Sequence, residues 1–247
     1  MSLEINVLGV GDTFSEVYYP TALLLFCEGV YLAIDCPDRY RAVLRDFRKI
    51  SGRQIQVQEI NDFIVTHVHG DHMNGLEGVG FFCHATASAR PRLHMLPDVA
   101  RDLWGRLAGG MGSLWDGERH HPMALTDYFQ PMPLYTDDAV NIGPFNVQAR
   151  YTRHHIPATV LLINAGGQTV GFSGDTSFDP NLIHFVKDAD LIIHETNFGP
   201  AHTSIDDLLA LPQPIRSKLR LIHYPDGMDL RDALLPLLTQ GEIITLG

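Results

Sequence analysis

The amino-acid sequence predicts a mixed α/β layered fold. Three observations carry that expectation: β-hairpin signals dominate the first half, strand-like and helix-like runs alternate in the second, and buried strands repeatedly end on a His or Asp. Alternating element types place helices over sheets, and the C-terminal ends of strands are where layered α/β proteins keep their chemistry. The 247 residues are 45% hydrophobic and 19% charged, which suits a globular core rather than a disordered chain. No repeat, low-complexity tract or linker-like run divides the chain, so residues 1–247 are expected to form one domain.

Taken in order, Leu3 to Val10 is an apolar first strand that ends at Gly9-Val10-Gly11-Asp12. Thr21 to Cys27 and Val30 to Asp35 are β-type runs joined by Glu28-Gly29, a hairpin signal. Pro37 to Ile50 has helical spacing in Tyr40, Val43, Leu44 and Phe47. Asp62 to Thr66 is a short buried strand that runs into a histidine-rich loop. Arg92 to Leu96 reads as a strand, and Pro97 to Leu107 as a helix with Pro in its first turn. Gly109 to Pro122 is turn-rich. Phe145 to Thr152, Thr159 to Asn164, Thr169 to Ser173, Leu191 to His194 and Leu219 to His223 are strands. Helices are expected over Pro180 to Lys187, Ser204 to Leu211 and Asp229 to Thr239.

Charge narrows the partners. Lys and Arg total 18 against 29 Asp and Glu, a net charge of −11, and the densest basic stretch, Arg39 to Arg53, also holds Asp46. Proteins that grip long nucleic acid show a basic face, so a small substrate fits better. No apolar run nears the ~20 residues of a membrane helix. Met1 to Val10 has no basic leader, and three cysteines (Cys27, Cys36, Cys83) do not make a disulfide framework. A cytoplasmic protein is expected. The unusual count is 13 histidines, and imidazole is the commonest metal ligand near neutral pH.

Those histidines concentrate in Thr66-His67-Val68-His69-Gly70-Asp71-His72, directly after a buried strand. His67 and His69 alternate and can face one side of an extended segment. The turn at Gly70 carries Asp71 and His72 toward a second point, so one loop can feed two metal ions. A lone HxH is commonly a solvated turn; HxHxDH is far more specific.

This motif after a buried strand resembles the signature of the metallo-β-lactamase superfamily, which implies a four-layer αββα sandwich holding one or two metals. The resemblance implies further elements in order, and each has a counterpart: Asp35 at an early strand end, His154 or His155 in Tyr151–Pro157, Asp175 after Ser173-Gly174, and His223 after Leu219–Ile222. By that resemblance His67, His69 and His154 hold one metal, Asp71, His72 and His223 hold the second, and Asp175 bridges both. Asp35 orients the histidine loop. The His-x-x-Pro spacing of the ribonuclease Z-like branch favours His154 over His155. Imidazole and carboxylate suit two Zn²⁺ ions, with Mn²⁺ or Fe also tolerated.

Two segments resemble the same branch. Leu191–Thr196 is similar to its His-Glu-Ala-Thr segment, with His194 and Glu195 as a supporting pair. Ala201-His202-Thr203-Ser204 is similar to its His-Ser-Thr box, with Thr and Ser exchanged, and implies that His202 protonates the leaving oxygen. The alternative for His202 is a residue preceding the Thr203/Ser204 helix cap. The interval from His154 to Asp175 leaves no room for the tRNA-gripping arm of ribonuclease Z proper. The expected activity is therefore phosphodiester hydrolysis of a small phosphodiester or nucleotide by a metal-bridging hydroxide, with Asp71 or Asp175 aligning it. Carbonyl-ester hydrolysis (lactonase, thioesterase or β-lactamase) and RNA processing are the alternatives on the same scaffold. A specificity insertion is expected around 81–135, with Trp104, Trp115, Arg101, Arg106 and Arg119 over the substrate, or with the tryptophans in core or dimer contacts. His120-His121 reads as a surface pair. A homodimer is implied by the resemblance alone.

Overall fold

The computed structural model describes residues 2–228 and 234–247. Its first half runs β1 (Leu3–Gly9), β2 (Ala22–Cys27), β3 (Val30–Ile34), α1 (Tyr40–Ser51), β4 (Asp62–Ile64), α2 (Gly70–Met73), α3 (Gly75–Ala85), β5 (Arg92–Met95), α4 (Pro97–Met111), β6 (Ser113–Trp115), β7 (His120–Pro122), α5 (Leu125–Tyr128) and β8 (Gln130–Pro133). The second half runs β9 (Val140–Ile142), β10 (Phe145–Tyr151), β11 (Thr159–Ala165), β12 (Gln168–Phe172), α6 (Pro180–Val186), β13 (Leu191–Glu195), α7 (Ile205–Leu209), α8 (Gln213–Arg216), β14 (Leu219–Ile222) and β15 (Ile243–Leu246).

These strands build two large sheets, ordered β15-β1-β2-β3-β4-β5-β8 and β14-β13-β12-β11-β10-β9. Period-two alternation decides how they stack. On β13, Leu191 and Ile193 join the core shared with the first sheet, while Ile192 joins a second core with Leu182, Ile183 and Val186 of α6. On β11, Leu161 and Ile163 face the shared core and Val160 the other. The sheets therefore pack face to face with helices on their outer surfaces, the αββα sandwich that the sequence implied.

The hairpin joining β2 and β3 turns at Glu28 (φ 50°) and Gly29 (φ 80°), the paired positive angles that match strand twist. Each sheet is antiparallel at one side and parallel at the other: β3, β4, β5 and β8 in the first, β12, β13 and β14 in the second. The parallel halves point their C-terminal ends to one edge of the sandwich, and the chemistry gathers there. Cys27, Cys36 and Cys83 are free and buried. Among the described residues no helix is long and apolar enough to cross a membrane.

Several elements depart from the sequence expectation. Of the helix expected over Asp229 to Thr239, residues 229–233 lie outside the described residues. Residues 234–239 are not helical: Leu221 N–H donates to the Pro236 carbonyl at 2.8 Å and Leu238 N–H to the Leu221 carbonyl at 2.8 Å. Pro236 has no N–H for a helix interior, and the segment instead lies beside β14. Helix α3 has no clean periodicity because it carries glycines where neighbours press close. A Cβ at Gly75 would stand 2.0 Å from the Pro37 carbonyl oxygen, and one at Gly80 2.8 Å from the Phe129 ring. The turn-rich Gly109 to Pro122 region continues α4 to Met111 and then forms the β6–β7 hairpin.

A buried polar link ties β4 to β5. Asp62, 1% exposed, accepts from Arg92 Nε at 2.6 Å and from His94 Nε2 at 2.8 Å. Burial pushes the Asp62 carboxyl up, but the bonds from His94 and Arg92 outweigh it and hold it below the ordinary 3.8. Asp62→Asn is expected to cost about 3 kcal/mol at neutral pH, measured by guanidinium unfolding, because it leaves a buried pair half made. A depressed carboxylate contributes above its unfolded pKa and loses that contribution as pH falls through the folded value. The gap between wild type and variant should therefore be constant above pH ~4 and close as the pH falls below it.

Candidate metal centre

The elements deliver the predicted residues to one cleft of about 280 Å³, lined by Thr13, Phe14, His69, Gly70, Asp71, His154, His155, Asp175, His202 and His223. His67 and His69 leave the end of β4, and Asp71 and His72 lie on α2. His154 follows β10, Asp175 follows β12 and His223 follows β14.

Two donor sets result. Single donor atoms of His67, His69, His154 and Asp175 all lie within 4.8 Å of one another, as do those of Asp71, His72 and His223. His69 Nδ1 is 3.1 Å from both His67 Nε2 and His154 Nε2. The Asp175 carboxylate connects the sets, 3.7 Å from His67, 3.8 Å from His154, 3.5 Å from His72 and 3.3 Å from His223. His154, not His155, occupies the set, while the His155 ring flanks the cleft. His202 joins a third grouping with Asp175 and His223.

Four of the five rings in the two donor sets are aimed by their other nitrogen. Thr66 donates its hydroxyl to Asp35 at 2.7 Å and so accepts from His67 Nδ1 at 3.0 Å, leaving His67 Nε2 for the cleft. Asp35 also accepts from Thr66 N–H and from His72 Nδ1, both at 2.8 Å. His154 Nδ1 donates to the Ala201 carbonyl at 3.1 Å. Thr21 donates to the Gly11 carbonyl and accepts from His223 Nδ1, each at 3.1 Å. Thr66, Thr21 and Ala201 carried no signal in the sequence: Thr21 and His223 stand 202 positions apart.

The backbone is strained where it turns these groups inward. Asp35 (φ 63°) and His223 (φ 58°) are non-glycine residues in the left-handed region, directly after β3 and β14. Such conformations cost of order 1–3 kcal/mol and persist where surrounding structure enforces them, commonly at functional sites. Gly174 (φ 57°) meets the same need with no Cβ, which would stand 2.3 Å from the Thr159 carbonyl oxygen.

The residues fit a pair of cations. His72 Nε2 is fully buried, 3.4 Å from Asp71 and 3.5 Å from Asp175, yet makes no hydrogen bond. A native protein seldom leaves such an atom unpaired without a ligand to fill the place. Burial holds His67, His69 and His154 neutral, His154 at about 4, and a ligating imidazole must be neutral. Burial also opposes charge on His72, but Asp175, Asp71 and Asp35 overcome it and raise its pKa, a field that favours any cation placed there. Burial pushes the Asp175 carboxyl up, and His223, His72 and His67 outweigh it and hold it well below the carboxylate range.

Two expectations shift. Glu195 and His194 do not pair through their side chains. His194 Nδ1 donates to the Glu195 carbonyl at 2.7 Å, while Glu195 Oε1 accepts from His202 Nδ1 at 3.1 Å and from Thr176 N–H at 2.7 Å. Neighbours on a strand face opposite sides, so one of the two had to turn from the site. The expected specificity segment 81–135 supplies β5 and β8 to the first sheet, and no residue of it lines the cleft. Trp104 packs against the core, Trp115 meets the His120 ring at a tilt, and Arg101 pairs with Asp98 and Asp102. His121 pairs with Asp116 on the same exposed hairpin.

Comparison with known proteins agrees with this geometry. A family model described as "Anti-Pycsar protein Apyc1" matches residues 3–242. The Anti-Pycsar protein Apyc1 of Paenibacillus sp. (strain J14) is 31% identical over 259 residues, covering 100% of both chains. Among solved structures, the metallo-β-lactamase fold protein YhfI of Bacillus subtilis superposes with a TM-score of 0.79 at 16% identity, covering 99% of this chain and 100% of that one. Human tRNase Z, short form, superposes with a TM-score of 0.70 at 17% identity, covering 98% of each. With the αββα sandwich and the HxHxDH loop in place, the chain is a metallo-β-lactamase-fold protein and belongs to the Anti-Pycsar protein Apyc1 family.

Proposed function

We propose that this protein is a binuclear metal-dependent phosphodiesterase acting on a small nucleotide, with a cyclic nucleotide as the substrate that fits best. The carrying observation is the pair of donor sets joined through Asp175, with a His202–Glu195 pair at the same cleft. His67, His69, His154 and Asp175 would hold one ion, and Asp71, His72, His223 and Asp175 the other. Zn²⁺ suits the nitrogen and oxygen donors best. When bound, such ions supply an activated water and offset charge on the phosphoryl oxygens.

The protein's own groups divide the remaining work. Asp71 and Asp175 line the cleft as acceptors that orient the attacking water. Glu195 holds His202 Nδ1, so the proton that His202 can deliver sits on Nε2, for the departing alkoxide. Glu195 itself is pushed up, by burial first and then by Asp175. A cleft of about 280 Å³ lies at the small end of ligand pockets, of order 300–1,000 Å³, and suits one nucleotide better than a polymer. The net charge of −11 points the same way. We also read residues 1–247 as one domain, able to work as a homodimer in the cytoplasm.

Metal analysis of purified protein, followed by a panel of cyclic nucleotides, bis-p-nitrophenyl phosphate, a lactone and nitrocefin, tests this reading. About two metal equivalents per chain and phosphodiester turnover are expected. Turnover of the lactone or nitrocefin alone would overturn it.

A further inference from the structure

Two phenylalanines are held out of the core, one lining the cleft and one on a loop tied to it. Phe14 lines it and is 85% exposed; Phe198, 77% exposed, lies on the loop that carries His202. Neither exposure comes from a loose backbone. Asp12 accepts from Phe14 N–H at 2.9 Å, and Asn197 accepts from Phe198 N–H at 2.7 Å. These two capping side chains bond to each other, Asn197 Nδ2 donating to Asp12 at 2.9 Å. Farther along the first loop, Asp226 accepts from Glu16 N–H at 2.7 Å. Asn197 Nδ2 also reaches the His223 carbonyl at 3.1 Å, which keys the pair of loops to the metal centre.

A large apolar side chain on an anchored loop, against a cleft whose other walls are imidazole and carboxylate, has no folding role. Burying it would gain free energy, and the loop forbids that. An aromatic face beside a phosphate-handling site suits a nucleobase.

Resting on the phosphodiesterase reading, we propose that Phe14 is the stacking platform for the base of a nucleotide substrate. Phe198 on the tied loop supplies the second apolar wall. Because every base has a π-face, this subsite gives affinity without choosing among bases. The phosphate chemistry is left to the metal centre, so the ring acts on binding rather than on bond cleavage.

The test compares wild type with Phe14→Ala, Phe14→Trp and Phe198→Ala. Substrates are the 3′,5′-cyclic nucleotides of four bases and a baseless cyclic ribose phosphate; a non-hydrolysable phosphorothioate cyclic nucleotide reports Kd. Phe14→Ala should raise KM and Kd about tenfold for all four bases, with kcat retained. It should leave the baseless substrate unchanged, and Phe14→Trp should restore affinity. Phe198→Ala should act in the same direction more weakly. Both rings are exposed, so Tm should hold. Unchanged KM and Kd for the bases, an equal loss on the baseless compound, or a changed sedimentation coefficient with unchanged KM would each overturn the subsite. A wild type that hydrolyses no phosphodiester would instead overturn the reading beneath it.

Discussion

Asp175→Asn is expected to lower kcat/KM for a phosphodiester by about 10⁴-fold or more, roughly 5 kcal/mol of transition-state stabilisation. Asn keeps the shape and removes the charge, so the loss can be assigned to electrostatics. The wild-type carboxylate stands within 3.8 Å of four imidazoles and connects the two donor sets. Its negative charge is the one that both sets share. The neutral amide should therefore leave each set short of charge, and metal content should fall along with activity. Metal analysis, circular dichroism and steady-state kinetics on one preparation check this. A folded variant that keeps both metals and turns over within tenfold of wild type would remove Asp175 from its bridging role.

The candidate ligands were legible because they cluster on the segments that follow buried strands. His67, Asp175 and His223 follow strands with buried apolar residues, within one to three positions of the strand end, so they emerge at the sheet edge. Of the groups that aim them, Asp35 was legible at its strand end, and the others were not. Thr21 fixes His223 across nearly the whole chain, and no local pattern encodes a contact made only by the closed sandwich. The same holds for Asp12 and Asn197, which read as ordinary loop residues until the fold brings them together. Among the elements, β8 carries no strand signal because it is Gln-Pro-Met-Pro. It survives as a strand because it lies at the sheet edge, where a proline need not donate to a ladder. Glycines obscured α3 for the opposite reason: they are close-packing positions, not helix ends.

His202→Ala should separate proton delivery from metal chemistry. In a cyclic nucleotide the departing ribose oxygen is an alkoxide, which needs a proton as the P–O bond breaks. The nitrophenolate of bis-p-nitrophenyl phosphate is a stable anion and leaves unaided. If His202 is the proton donor, the variant should lose about 10²–10⁴ in kcat on cyclic nucleotides and less than about tenfold on bis-p-nitrophenyl phosphate. KM should change little on either. The structure also makes the rival role concrete, because a His202 donor atom lies within 4.8 Å of those of Asp175 and His223. A metal-holding role predicts equal losses on both substrates and a drop in metal content, whereas proton delivery predicts full metal content. Glu195→Gln offers a graded control. The amide oxygen can still accept from Nδ1, so the ring stays oriented, but it is a weaker acceptor than the carboxyl group it replaces. The expected loss is thus smaller than that of His202→Ala and falls on the same substrates. A Glu195→Gln enzyme that loses bis-p-nitrophenyl phosphate activity and metal together would show that the pair holds the site's shape rather than moving its proton.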